Sequence, residues 1–242
     1  MKVSMFITCI SDAVYPRVGE AMVRLLARYG VQMDFPEVQT CCGQPAFNAG
    51  YWDEARQTAV TILQAFEDSD FVIAPSGSCT GMLHHFPKLF QDDPVHLLKA
   101  QALQRKAYEF SQFMVKVLGI TDLGAMFPHK VTYHPSCHGS RILGIRDEPM
   151  LLMQNIKGME LVPLPFAEDC CGFGGTFAIK MAEISGAMVT EKSDHVLETE
   201  AEILTGLDMG CLMNIAGNLR YRQQPIRVMH LAELLYEGVS GT

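Results

Sequence analysis

No run in the 242-residue chain approaches the ~20 consecutive apolar residues that a membrane-spanning helix needs. The opening segment, Met1 to Cys9, is too short and too strand-like for a secretory signal, so the chain is expected to be cytoplasmic, with no transmembrane segment. Charge is also scarce, at 19% of residues against a typical ~25%. Its balance is acidic: 19 Lys and Arg face 27 Asp and Glu, a formal net charge of -8. Nucleic acids and anionic membranes attract Lys/Arg-rich faces, so neither is expected as the main partner. The nucleotide-binding G-x-G-x-x-G, the hydrolase G-x-S-x-G and the zinc-protease H-E-x-x-H are all missing, and Gly172-Phe173-Gly174-Gly175 does not meet the first. Cysteine is too sparse, at 8 residues, for a disulfide scaffold, which carries roughly 8–10%.

What the chain does have is a repeat. Its cysteines are Cys9, Cys41, Cys42 and Cys79, then Cys137, Cys170, Cys171 and Cys211, with gaps of 32, 1 and 37 followed by 33, 1 and 40. Both vicinal pairs precede a glycine, Gly43 and Gly172. A period of about 130 residues is too long for a solenoid unit and suits a duplicated domain. Length agrees, since 242 residues make one large or two modest domains and 48% hydrophobic residues can fill two cores. Gly119, Gly124 and Pro128 interrupt the apolar periodicity, so the first domain is expected over residues 1–124 and the second over 125–242.

Short apolar runs bounded by turn signals fall at 3–8, 31–38, 71–74, 131–134, 160–164 and 202–207, and read as buried strands. Between them lie helical patterns: Val18, Ala21, Met22, Leu25, Leu26 and Tyr29 share one face, and Leu103, Ala107, Phe110, Met114 and Val117 another. Alternation of this kind gives an α/β fold of two pseudo-repeated halves, each a mostly parallel sheet flanked by helices. Every cysteine follows a strand. Parallel strands gather their carboxyl ends on one edge, where ligands bind, so four thiols should converge in each half. Helices begin at several of these loops, and a helix N-terminus favours thiolate.

Four thiolates suit zinc or an iron–sulfur cluster. The paired C-x₂₋₄-C knuckles usual in structural zinc sites are missing. Adjacent thiolates fit different irons of a polynuclear cluster better than one tetrahedral ion, and the following glycines let backbone N–H groups approach sulfur. Two other readings stay open: a thiol–disulfide enzyme working through the vicinal pairs, and a zinc-stabilised binding module.

The motifs are specific enough to carry a resemblance. They are Phe6-Ile7-Thr8-Cys9, Asp34-Phe35-Pro36 leading to Cys41-Cys42-Gly43-Gln44-Pro45-Ala46, Pro75-Ser76-Gly77-Ser78-Cys79, Cys170-Cys171-Gly172-Phe173-Gly174-Gly175-Thr176-Phe177 and Gly210-Cys211-Leu212-Met213-Asn214-Ile215. The chain resembles the cysteine-rich, Cys-Cys-Gly family that includes the cysteine-rich subunit of heterodisulfide reductase, the glycolate oxidase iron–sulfur subunit and the lactate-utilization proteins. The last of these resemblances covers nearly the whole chain. It implies an iron–sulfur electron-transfer component, itself a non-autonomous subunit, of a complex that oxidises L-lactate to pyruvate. The implied cofactor is an iron–sulfur cluster of [4Fe-4S] type, one or two per chain, held by the eight cysteines. The implied partners are the other subunits, a second iron–sulfur protein among them. In the heterodisulfide reductase branch the last cysteine of each set belongs to a C-x-x-C pair. Here Ser76 and Asp208 stand at the corresponding first positions, so heterodisulfide activity is not carried over. Ser76 or Asp208 as oxygen ligand, an ordinary four-cysteine cluster, and one empty half all stay open.

Other polar residues near the cysteines have ordinary readings. His134 and His138 flank Cys137, a pair with no counterpart around Cys9, and histidine is a common metal ligand. His84 and His85 follow Cys79 and read as cap or surface. Arg17, Arg141, Lys180 and Lys192 read as solvated helix faces, with countercharge to an anionic cluster as the alternative. The 15 methionines fall largely on helical patterns and read as packing.

Overall fold

The apolar runs become two four-stranded sheets, both wholly parallel, in a computed structural model that describes residues 1–241. The chain divides into two compact units, Met1–Phe110 and Ser111–Thr242. In the first, the elements are β1 (Val3–Met5), α1 (Cys9–Ala13), α2 (Pro16–Ala27), β2 (Met33–Asp34), α3 (Gln44–Asn48), α4 (Trp52–Ala65), β3 (Phe71–Ala74), α5 (Gly77–Leu89), α6 (Pro94–Lys106) and β4 (Ala107–Glu109). The sheet order is β2-β1-β3-β4. A helical turn, α7 (Phe110–Gln112), and a π-helical turn, Phe113–Val117, follow. The second unit then repeats the plan: β5 (Lys130–His134), α8 (Cys137–Arg141), α9 (Asp147–Gln154), β6 (Glu160–Val162), α10 (Phe177–Lys180), α11 (Ala182–Glu198), β7 (Ile203–Gly206), α12 (Met209–Tyr221), β8 (Arg227–His230) and α13 (Leu231–Ser240). Its order is β6-β5-β7-β8, the same topology. The expected α/β fold of two pseudo-repeated halves is therefore what the chain adopts.

Central strands are buried over nearly their whole length: Val3 to Met5, Val72 to Ala74, Val131 to His134 and Ile203 to Gly206 are all buried. Such continuous burial is the mark of a parallel sheet covered on both faces. The edge strands are shorter than their apolar runs. β2 stops just ahead of Phe35-Pro36 and β6 just ahead of Pro163, because proline has no N–H to give to a ladder. In the first unit Phe6 meets Phe66 edge-on, with ring centroids 5.7 Å apart, at the centre of a core that also takes in Val72, Met82, Leu83, Phe86 and Cys42.

Two details differ from the sequence expectation. The pattern read as one helical face through Leu103, Ala107, Phe110, Met114 and Val117 is broken, since residues 107–109 pair in register with Val72, Ile73 and Ala74 as β4. Pairing with a buried neighbouring strand outweighs a helical periodicity that one short strand can satisfy equally well. Segment 111–124 falls with the second unit. There Lys116 pairs with Glu148, Gln112 Nε2 donates to the Leu143 carbonyl at 3.3 Å, and Asn155 Nδ2 donates to that of Thr121 at 3.1 Å. Among the described residues no helix is long and apolar enough to cross a membrane.

Gly43 and Gly172, which follow the vicinal cysteines, both take a left-handed backbone, with φ of 82° and 80°. A side chain on Gly43 would find its nearest neighbour at 3.4 Å, whereas one on Gly172 would meet the Ser185 carbonyl at 2.8 Å and Met188 Cβ at 3.0 Å. Gly43→Ala is expected to cost about 1–2 kcal/mol, the usual left-handed penalty. Gly172→Ala should cost clearly more in its own unit. Urea unfolding of the metal-free variants checks the order, and equal losses would contradict it.

Candidate metal centres

The convergence expected from the strand ends is present in each unit. Cys9 opens α1 directly after β1, and Cys79 lies in the first turn of α5 after β3, the strand next to β1 in the sheet. The vicinal pair arrives from β2 through a loop clamped by Gln39. Its Nε2 donates to the carbonyls of Met5 at 3.1 Å and Pro36 at 3.0 Å, and its Oε1 accepts from the Ile7 N–H at 2.9 Å. That clamp fastens the loop to the end of β1. As a result Cys9 Sγ lies 3.9 Å from Cys41 Sγ, and Cys42 Sγ 3.4 Å from Cys79 Sγ. Cys42 is buried, Cys41 and Cys79 are half-buried and Cys9 is exposed, so the set runs from core to surface.

In the second unit Cys137 opens α8 after β5, and Cys211 lies in the first turn of α12 after β7. The loop before Cys170 is held from α11 and α8. Lys192 Nζ donates to the Phe166 carbonyl at 2.5 Å, and Arg141 Nη2 donates to that of Glu168 at 2.6 Å. Asn214 Nδ2 on α12 donates to the Cys171 carbonyl at 2.8 Å, tying the pair to the helix that carries Cys211. Cys171 and Cys211 are buried. A 230 Å³ cavity beside Cys170 is lined by Arg141, Asp169, Met188, Glu191, Lys192 and His195.

Ser76 and Asp208 occupy equivalent places as helix N-caps. Ser76 Oγ accepts from the Cys79 N–H at 3.1 Å, and Asp208 Oδ1 from the Gly210 N–H at 3.0 Å. Each cap starts the helix so that the third residue after it is a cysteine, in the turn where free N–H groups favour negative charge.

The sulfurs are not electrostatically equal. The Cys41 thiol is held far below its ordinary range, first by hydrogen bonds from Cys42 and Cys9, then by the N–H groups of Gly43 and Cys42. Cys170 is lowered in the same way, by Cys137, Cys171 and the N–H of Gly172, which sits 3.4 Å from its sulfur. Their neighbours shift the opposite way. Cys9 and Cys42 are raised as donors to Cys41, and Cys137 and Cys171 as donors to Cys170, with burial adding to each. Cys211, although lowered by its hydrogen bond with Cys171, is raised overall by burial and by Asp208. Each unit thus favours a thiolate at the first cysteine of the pair over its hydrogen-bonded neighbours, because two ionised sulfurs 4 Å apart repel by about 4 kcal/mol at an effective dielectric of 20. A bound cation removes that repulsion. The donor set fits an iron–sulfur centre, or another thiophilic metal, on this ground.

Two residues matter more than their sequence reading suggested. Lys192 is only 1% exposed, not on a solvated face, and burial lowers its pKa against the pull of Asp169, Cys171 and Cys170. His134, the last residue of β5, is also 1% exposed. One donor atom from each of His134, Cys171 and Cys211 lies within 4.8 Å of the other two. Burial, then Lys192, holds its imidazole neutral with a pKa of about 4, against Asp208 and Cys170. Its place at a strand's carboxyl end was the available signal. Arg17 and Lys180 are exposed. His84 Nε2 lies 3.0 Å from the Ala107 carbonyl, and His85 stacks on Phe47.

Comparison with known proteins agrees with this duplicated plan. A family model described as "Cysteine-rich domain" matches twice, over residues 3–84 and 131–216. A protein named lactate utilization protein A from Oceanobacillus iheyensis is 54% identical over 97% of this chain and 96% of its own length. One of the same name from Geobacillus kaustophilus is 52% identical over 97% and 98%. Lactate utilization protein A 2 from Bacillus cereus is 48% identical over 99% and 100%. Among solved structures, a hypothetical protein from Helicobacter pylori shares the fold, with a TM-score of 0.69 at 9% identity, over 98% of this chain and 48% of that one.

The sulfur electrostatics give an expectation that exposure alone does not. In metal-free protein at about pH 6, below the ordinary thiol pKa of ~8.5, Cys41 and Cys170 should be alkylated before the more exposed Cys9. Peptide mapping after brief iodoacetamide treatment checks this, and Cys9 reacting first would contradict it.

Proposed function

The chain belongs to the cysteine-rich-domain family, and on that premise we propose that it is an iron–sulfur electron-transfer component of a complex that oxidises L-lactate to pyruvate. The single observation that carries the iron–sulfur part is the twofold convergence of four cysteines at the carboxyl edge of a parallel sheet, with sulfurs as close as 3.4 Å. The lactate part is supported by the name of relatives that align along nearly their entire length.

Cys9, Cys41, Cys42 and Cys79 hold one centre and Cys137, Cys170, Cys171 and Cys211 the other, each of [4Fe-4S] type. Such a centre supplies one-electron redox chemistry. The rest is the work of the chain's own residues. The N–H of Gly172 stabilises negative charge on Cys170, as those of Gly43 and Cys42 do on Cys41. Buried Cys42, Cys171 and Cys211 keep water from the inner side, and Cys9 leaves the outer side open to a redox partner. Conversion of lactate to pyruvate releases two electrons and two protons. That step belongs to partner subunits, a second iron–sulfur protein among them, and this chain is a non-autonomous member of the oxidoreductase.

Cys42→Ser and Cys171→Ser test the ligand assignment. Each should remove about half of the iron and sulfide while leaving the far-UV circular dichroism of the full chain intact, because each unit has a core of its own. Unchanged iron in both variants would contradict the assignment. Zinc without sulfide would favour a zinc-stabilised module instead, and reversible loss of two thiols per pair without metal would favour a thiol–disulfide enzyme.

A further inference from the structure

The geometry points to His134 as a nitrogen ligand of the second unit's metal centre, making it a mixed imidazole–thiolate site alongside Cys171 and Cys211. This rests on the metal-centre reading above. Both ring nitrogens of His134 are buried and have no hydrogen-bond partner. An unsatisfied buried polar group costs about 1–3 kcal/mol, so a partner for either nitrogen would stabilise the core. Coordination to a metal satisfies one of the nitrogens. The same unit shows what an ordinary strand-end histidine does. His230, at the end of β8 and equally buried, accepts the Ala232 N–H at 3.1 Å and caps α13. For His134 the neighbouring donor atoms are instead the sulfurs of Cys171 and Cys211.

The first unit sharpens the point. Three residues before Cys9, as His134 is three before Cys137, stands Phe6, which packs edge-on against Phe66. The position thus accepts a hydrocarbon ring where only burial is needed, and the second unit places a ligating ring there. The two centres therefore differ. With His134 bound, one of the four thiolates assigned to this unit gives up its iron, and imidazole in place of thiolate raises the potential of an iron–sulfur centre, so the second unit should hold the more oxidising of the two.

The test uses the full chain purified without oxygen from cells fed ¹⁵N-histidine, with pulsed EPR after reduction and iron and sulfide measured on the same sample. A histidine nitrogen coupling that changes with the label and is lost in His134→Phe supports the proposal. His134→Cys should keep the iron, lose the coupling and shift one midpoint potential to a more negative value. Bound iron with no label-sensitive coupling overturns the proposal and leaves the iron–sulfur reading standing. If the chain holds zinc without sulfide, the iron–sulfur reading fails, and the ligand is judged on cobalt(II)-substituted protein. There, visible bands that are unchanged between wild type and His134→Phe overturn the proposal, and bands that move support it.

Discussion

Mutual repulsion among sulfurs brought to one sheet edge is the constraint that organises this molecule. Parallel strands can place side chains from distant sequence positions side by side, and here they place thiols within 3.4–3.9 Å in the first unit. At that spacing the first member of the vicinal pair is the sulfur whose ionisation its hydrogen-bonded neighbours favour, in both units. The surrounding structure is arranged to make that ionisation favourable. A left-handed glycine follows the pair, a helix N-cap stands three residues before the last cysteine, and a clamped loop holds the pair against its neighbours. A bound cation would complete the balance by allowing the remaining thiols to ionise.

The two units reach this arrangement with different supports. In the first, a neutral Gln39 ties the cysteine loop to β1, and Phe6 fills the core beneath. In the second, buried Lys192 and surface Arg141 hold the loop carbonyls, Asn214 holds the pair, and His134 replaces the phenyl ring. Duplication fixed the topology and the cysteines. The positive charge of Lys192 and the imidazole of His134 set the second site apart from the first.

Much of this could be read in the sequence because cysteine spacing and strand ends are strong local signals. The repeated gaps and the Cys-Cys-Gly pairs located both candidate sites, and short apolar runs located six of the eight strands. Features set by tertiary context were harder to read. Residues 107–109 fit a helical face as well as a strand, and only the neighbouring Val72 to Ala74 decides between them. β8, Arg227–His230, is four residues with a charged start and no strong alternation. Gly119 and Gly124 interrupt the pattern as a domain seam would, yet residues 111–124 pack with the second unit through Lys116, Gln112 and Thr121. Lys192 sits on a helix whose charged residues look solvated in sequence, and its burial follows from the carbonyls of Phe166 and Ala167 turning toward it.

If the two sulfur sets exist to hold iron and sulfide, the metal content of the chain decides the matter most directly. The measurement is iron, acid-labile sulfide and zinc per chain on protein purified without oxygen, with visible and EPR spectra from the same sample. The expected result is about eight iron and eight sulfide, a brown protein and two reducible signals. Zinc with no sulfide, or neither metal after an attempt at reconstitution, would contradict it.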